Sequence, residues 1–211
     1  NDYELRAGTF RVRGDVIEIM LSISEDYLIQ VDTFDDTIEK IREIDVLTGE
    51  VRKTFNTYPI FPAYAYASSR ERINAIVPKI LSDLASRLSY FADEGKLLEA
   101  ERLEFRTRQD VDSLQEFGIC PGIENYARYI DGREAGEKPY TLMDYFPKDY
   151  LLVIDESHVT LPQVRGMFNG DRSRKQNLVD YGFRLPSALD NRPLQFNEFE
   201  EMINQVIYTS A

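Results

Sequence analysis

Two adjacent carboxylates close an apolar run. Leu151-Leu152-Val153-Ile154 leads directly into Asp155-Glu156-Ser157-His158. A short run that is apolar throughout reads as a buried strand with both faces covered, as in a parallel sheet. Charges are rarely buried unpaired, so Asp155 and Glu156 are expected where the strand emerges. In open α/β sheets that carboxyl edge is where ligands bind. Paired acids there suit a nucleotide site: one holds Mg²⁺ and the other positions or deprotonates water. An apolar strand with an acidic end also fits many α/β proteins that bind no nucleotide.

The other reactive residue types are sparse. The single histidine is His158, which excludes a zinc site of several histidines and makes it the base of any His-dependent triad. Its neighbour Ser157 is no evidence for a serine hydrolase, because adjacent strand residues point opposite ways. The single cysteine, Cys120, excludes an intrachain disulfide framework and reads as a small buried thiol rather than a nucleophile. No Gly-x-x-x-x-Gly-Lys-Ser/Thr loop and no Gly-x-Gly-x-x-Gly occurs. The acids can hold a metal on a nucleotide, but the phosphate cradle is missing, so the chain by itself is expected not to hydrolyse ATP.

Arginines form three further groups. Arg11 and Arg13, two apart on a strand, share a face and could pair with a partner's carboxylates; by residue type alone they read as an ordinary solvated face. Arg102, Arg106 and Arg108 alternate with Glu99, Glu101 and Glu104 at helical spacing, the pattern of solvated pairs. Asp171-Arg172-Ser173-Arg174-Lys175 reads as a solvated helix start.

These residues are carried by 211 amino acids, enough for one large domain or two small ones. Lys plus Arg number 25 against 37 Asp plus Glu, a formal net charge of −12, which disfavours nonspecific nucleic-acid binding by the chain as a whole. The N-terminus, Asn1-Asp2-Tyr3-Glu4, lacks a signal-peptide core, and no apolar run reaches the ~18 residues of a membrane span, so a cytoplasmic setting is expected.

Residues 1 to about 62 alternate like strands, with turns at Gly14-Asp15, Asp35-Asp36 and Thr48-Gly49, and predict an antiparallel meander or small barrel. The run from Thr37 to Ile44 is ambiguous with helix. Two prolines within residues 59–67 mark a boundary. Ser68 and Glu71 then have capping-box spacing. Ile73, Val77, Ile80, Leu84, Leu88 and Phe91 form one helical stripe, in which Pro78 should kink the helix or delay its regular start. A second helix from Lys96 to about Phe117 carries Leu97, Ala100, Leu103, Val111, Leu114 and Phe117, and the two fit either an antiparallel pair joined at Gly95 or a bent continuation. Residues 118–150 read as a structured surface loop and 161–181 as partly helical, interrupted by Gly166 and Gly170. After a loop at 182–194, Asn197 and Glu200 could cap a short helix. Gln205–Tyr208 is a second buried strand. Two such strands suit a parallel crossover but do not complete a sheet, so a substantial part of this domain is expected outside the sequence. The fold class is α/β, or α+β overall: a small antiparallel interaction domain, then an incomplete helicase-like α/β domain with long helices.

Longer stretches carry a resemblance. Leu151–His158 resembles the DExH motif of superfamily 2 helicases. Gly122–Tyr126, Tyr140–Pro147, Val159–Gln163, Asn169–Lys175 and Tyr181–Pro193 resemble the UvrB family, the B subunits of bacterial excinuclease ABC, as an internal fragment. Gly8–Asp15 resembles the start of that family's UvrA-interaction domain. The resemblance implies most of a UvrA-binding domain at residues 1–68 and part of the first helicase-type domain at 69–211. It matches Arg11 and Arg13 to arginines that contact UvrA. It implies that Asp155 coordinates Mg²⁺, that Glu156 activates water, and that His158 and Ser210 belong to the ATP site. It further implies that the whole protein verifies lesions in damaged DNA with ATP and engages UvrC, while this piece keeps UvrA binding and loses ATPase and DNA binding. Pro78 departs from a helix the family continues. The alternative is a protein-binding adaptor like the matching module of the transcription-repair coupling factor.

Overall fold

The computed structural model describes residues 5–211, so the charged N-terminal stretch Asn1–Glu4 lies outside the described residues. The chain divides into two compact units, Asn1–Ala67 and Ser68–Ala211.

The first unit is a five-stranded antiparallel meander. Its strands are β1 (Thr9–Arg13), β2 (Val16–Met20), β3 (Tyr27–Phe34), β4 (Thr37–Asp45) and β5 (Val51–Phe55), neighbours in space in that order. Register and two-residue alternation sort the side chains into two faces. Arg11, Glu18, Gln30, Arg42 and Thr54 stand opposite one another across all five strands, and Val12, Ile17, Val31, Ile41 and Phe55 form the next row on the other face. The apolar face holds the main core, with Leu21, Ile29 and Val31 buried and Ile17, Ile19, Tyr27, Ile41 and Tyr58 packed against them. A smaller cluster of Met20, Leu28 and Ile44, with Leu5 against it, sits on the face of the polar row. The ambiguity over residues 37–44 resolves to strand because β4 is paired on both sides.

The second unit begins with a helical hairpin, α1 (Arg70–Asp93) and α2 (Leu97–Phe117). Helix α1 runs unbroken through Pro78, and its cap is Ser69 rather than Ser68: the Ser69 hydroxyl accepts from the Arg72 amide at 3.3 Å. Gly118, ending α2, lies beside Ile73 at the start of α1, so the two helices run antiparallel. Ile73, Ile76, Val77, Ile80, Leu84 and Phe91 meet Leu103, Val111 and Leu114 as the buried set. Leu97 and Phe117, read as part of the α2 stripe, are instead 72% and 69% exposed, since the ends of the helix outrun the packed seam.

Residues 118–150 are structured, as expected, but part of the segment is buried rather than on the surface. A 3₁₀ turn at Ile123–Tyr126 runs into α3 (Ala127–Asp131), and Cys120, Tyr126, Ala127, Tyr129 and Ile130 are buried. Strands β6 (Leu151–Ile154) and β7 (Gln205–Tyr208) pair in parallel. Between them lie α4 (Ser157–Asp180), a 3₁₀ turn at Pro186–Asp190 and α5 (Phe196–Met202). Helix α4 is continuous through Gly166 and Gly170, where nothing packs closely, so each costs only helix propensity of ~1 kcal/mol. The cap of α5 is Gln195, reciprocated by Glu198, two residues before the expected Asn197 and Glu200 pair.

The expectation that β6 is covered on both faces fails. Ile154 is 7% exposed, but Leu151 and Val153 on the opposite face are 53% and 56% exposed, because β6 and β7 form a two-stranded sheet packed on one side.

Candidate functional site

The acids do sit where β6 emerges. The β6–β7 register continues past the strands: the Thr209 amide donates to the Ile154 carbonyl at 3.0 Å and the Ser157 amide donates to the Thr209 carbonyl at 2.9 Å. This stitching places Thr209 and Ser210 against the start of α4. Asp155 accepts on Oδ1 from the Thr209 hydroxyl at 2.6 Å and from the Glu156 amide at 2.9 Å. Those two donors hold the exposed Asp155 carboxyl below its ordinary pKa, the Thr209 hydroxyl contributing most. No described residue donates to Oδ2.

Glu156 occupies the turn into α4 with φ 45° and ψ 48°, the left-handed region that costs a side-chain-bearing residue about 1 kcal/mol. His158 Nδ1 lies 2.8 Å from the Ser210 hydroxyl and 3.4 Å from Glu156 Oε2. Thus Asp155, Glu156, His158 and Ser210 converge on one exposed edge. Residue type and strand position pointed to Asp155 and Glu156, the resemblance to His158 and Ser210, and Thr209 was missed. Its signal was a hydroxyl at the end of the second strand, one residue beyond the apolar run.

As hard oxygen donors on an open edge, Asp155 and Glu156 suit Mg²⁺, which is commonly held by one or two carboxylates together with substrate phosphates. Among the described residues no group of three or more His, Cys, Asp or Glu could enclose a metal, so water or phosphate oxygens would complete the shell. A separate cleft of about 580 Å³ in the second unit, lined by Lys79, Asp83, Arg128 and Arg133 among others, includes none of these residues.

The other predicted residues lie in the first unit, on edge strand β1. Arg11 and Arg13 share a face, and Arg11 donates through Nε to Glu18, its direct cross-strand neighbour. That contact raises the Arg11 pKa. Asp32 stands in the same polar field, accepting from Gln30 at 2.9 Å and from Arg42. Arg11 is therefore held in place by a carboxylate of its own sheet, a partner the sequence did not reveal. On the opposite face of β1, Phe10 and Val12 are exposed.

The remaining arginine groups are structural. Arg102 donates to the Tyr181 carbonyl at 2.7 Å and stacks over Phe183. Arg106 pairs with buried Asp110 at 3.0 Å. Only Arg108, with Glu104 at 2.8 Å, is the solvated pair the spacing implied. The basic run 171–175 lies within α4, not at its start, and Lys175 is buried, donating to the Asn191 carbonyl and pairing with Asp171.

Family models match the chain in two places: the UvrB interaction domain over residues 1–66 and the UvrB third helical domain over residues 71–132. UvrABC system protein B of Geobacillus kaustophilus is 56% identical over all 211 residues, and those of Carboxydothermus hydrogenoformans and Enterococcus faecalis are 54% identical over the same span. The chain belongs to the UvrB family. It spans 32% of the length of these relatives. The UvrB relatives also cover residues 133–211, with the acidic edge, so the adaptor alternative is not favoured. The helical-domain match covers the α1–α2 hairpin and α3. Among the described residues no helix is long and apolar enough to cross a membrane.

Proposed function

We propose that this UvrB-family chain docks UvrA through the β1 face of its first unit and presents, in its second unit, the acidic edge of an ATP–Mg²⁺ site. The carrying observation is the match of residues 1–66 to the UvrB interaction domain, together with the two arginines sharing one face of an edge strand. Arg11, oriented by Glu18, and Arg13 supply guanidinium forks to acidic groups of UvrA. In this reading Asp155 contributes to the Mg²⁺ shell and Glu156 orients or deprotonates the attacking water. His158 and Ser210 link that edge to the end of β7. When bound, the metal would neutralise charge on the nucleotide phosphates. The phosphate cradle is not among these 211 residues, so the chain alone binds UvrA without turning over ATP. Lesion verification on damaged DNA, engagement of UvrC and a cytoplasmic setting belong to the same reading of the longer relatives.

Calorimetric titration of the chain with UvrA tests it, beside an Arg11→Glu, Arg13→Glu double variant. Saturable binding that the double variant loses is expected. Equal binding by both would move the interface off β1, and no binding by a chain with native circular dichroism would reject the docking role.

A further inference from the structure

We infer that Thr209 is a positioning residue for Asp155, fixing one carboxylate oxygen so that the other faces a divalent cation; the cation part rests on the function proposed above. Four contacts carry the inference. The Thr209 hydroxyl and the Glu156 amide both donate to Oδ1, at 2.6 and 2.9 Å. The Thr209 backbone is itself held on both sides, its amide by Ile154 and its carbonyl by Ser157. The hydroxyl is thus presented from a clamped position rather than from a free chain end. A carboxylate on an exposed edge otherwise samples several rotamers, and two donors on one oxygen select one of them. What remains of the acceptor capacity is on Oδ2, which receives nothing from the described residues. Partners that orient a metal's ligands in this way commonly govern affinity as strongly as some ligands do. The carbonyl of Asp155 is held as well, accepting from the Thr160 hydroxyl at 3.0 Å, so backbone and side chain of the acid are both fixed by threonines.

The test uses the isotope-labelled 211-residue chain and Thr209→Val, which keeps the shape and both backbone hydrogen bonds, with Thr209→Ser restoring the hydroxyl. Three-bond Hα–Hβ couplings of Asp155 report its rotamer without any metal. One rotamer in the parent chain and in Thr209→Ser, with averaged couplings in Thr209→Val, is the expected result. A single rotamer retained in Thr209→Val, with unchanged shifts along β6 and β7, overturns the positioning role. Titration with Mn²⁺ alone, followed by broadening of the amides of residues 155–158 and 209–210, then addresses the cation. Thr209→Val is expected to need about tenfold more Mn²⁺ than the parent chain, and Asp155→Asn to abolish the local broadening. If Asp155→Asn leaves the broadening unchanged, the metal reading fails while the coupling result stands on its own. If Asp155→Asn abolishes it but Thr209→Val does not shift it, the inference fails and the metal reading survives.

Discussion

Gly182 lies directly against the backbone of Glu99: a Cβ at Gly182 would come within 2.3 Å of the Glu99 carbonyl oxygen and 2.8 Å of its carbonyl carbon and Cα. This contact locks the end of α4 onto α2. The Arg102–Tyr181 hydrogen bond and the 3.3 Å bond from Arg87 to the Val179 carbonyl hold the same end. Both arginines place positive charge where the helix dipole is negative.

Gly182→Ala therefore combines a clash with backbone at φ 71°, which disfavours a side chain. The expected cost is ~3 kcal/mol, mostly from the clash, or a thermal midpoint lowered by about 10 °C for a unit of this size. Gly132→Ala separates the two causes: its φ is 76° but nothing lies within 4 Å, so it should cost only ~1 kcal/mol. Differential scanning calorimetry of both variants checks the contrast; equal losses would mean that the Glu99 contact relaxes freely.

A second prediction concerns buried Asp110. It accepts from Tyr126 OH at 2.9 Å and pairs with Arg106 at 3.0 Å. Burial and the neighbouring carboxylate push the Tyr126 hydroxyl well above its ordinary pKa, so it stays a donor at any working pH. Asp110→Ala strands a buried hydroxyl and half of an ion pair. It should cost ~2–4 kcal/mol, and Asp110→Asn, which still accepts from Tyr126, less than half of that. Urea midpoints for the two variants decide; a neutral Asp110→Ala would show that water replaces the carboxylate.

The strands of the first unit were legible because alternation and turns speak directly to register: three turns, at Gly14-Asp15, Asp35-Asp36 and Thr48-Gly49, narrowed the topology to a meander or a small barrel, and the pairing of neighbours in order makes it a meander. Helix α1 was legible from its stripe at Ile73, Val77, Ile80 and Leu84, but whether the chain turned back at Gly95 or continued bent was not. What sequence could not convey was long-range polar pairing. Tyr126–Asp110 spans 16 residues, Arg128–Asp190 62 and Thr209–Asp155 54, and nothing local to either partner announces the other. The same gap explains why the burial within residues 118–150 was not foreseen. Their charges and glycines looked solvated, whereas Arg128 bridges Asp83 and Asp190, and Arg133 is buried, donating to the Glu137 and Asp190 carbonyls. At the acidic edge, residue type and strand position revealed Asp155 and Glu156, and the resemblance supplied His158 and Ser210. Strand pairing alone exposed Thr209.

Asp45, at the end of β4, gives a pH dependence. It accepts from the Leu47 and Thr48 amides at 2.9 Å each and from Arg52, and these hold its carboxyl at about 2, with the Thr48 amide the largest cause. A carboxylate whose folded pKa lies below its unfolded value, ordinarily near 3.9, stabilises the fold above that value. The contribution is lost as pH falls from about 4 toward 2. The β4–β5 connection should therefore loosen in that window, seen as faster amide exchange at Leu47 to Val51. Asp45→Asn should flatten the acid dependence of these amides and leave that of β2 and β3 unchanged. An unchanged profile in Asp45→Asn would assign the transition to another carboxylate.

Cys120 offers a probe of how tightly the segment after α2 is held. It is buried beside Asp110, and desolvation, reinforced by that carboxylate, pushes its thiol up to about 12. At pH 8 only about one thiol in ten thousand is then ionised, against roughly a quarter for an ordinary cysteine, and the thiolate is the reactive form. Reaction with a disulfide reagent should be slower than that of a free thiol by about a thousandfold before any loss of access is counted. Labelling in native buffer should thus proceed only through opening of this segment. Its rate should rise in Asp110→Ala, where the Tyr126 and Arg106 contacts that pin the segment to α2 are removed. Labelling as fast in the parent chain as in urea-unfolded protein would show that Cys120 is not packed against α2 in solution.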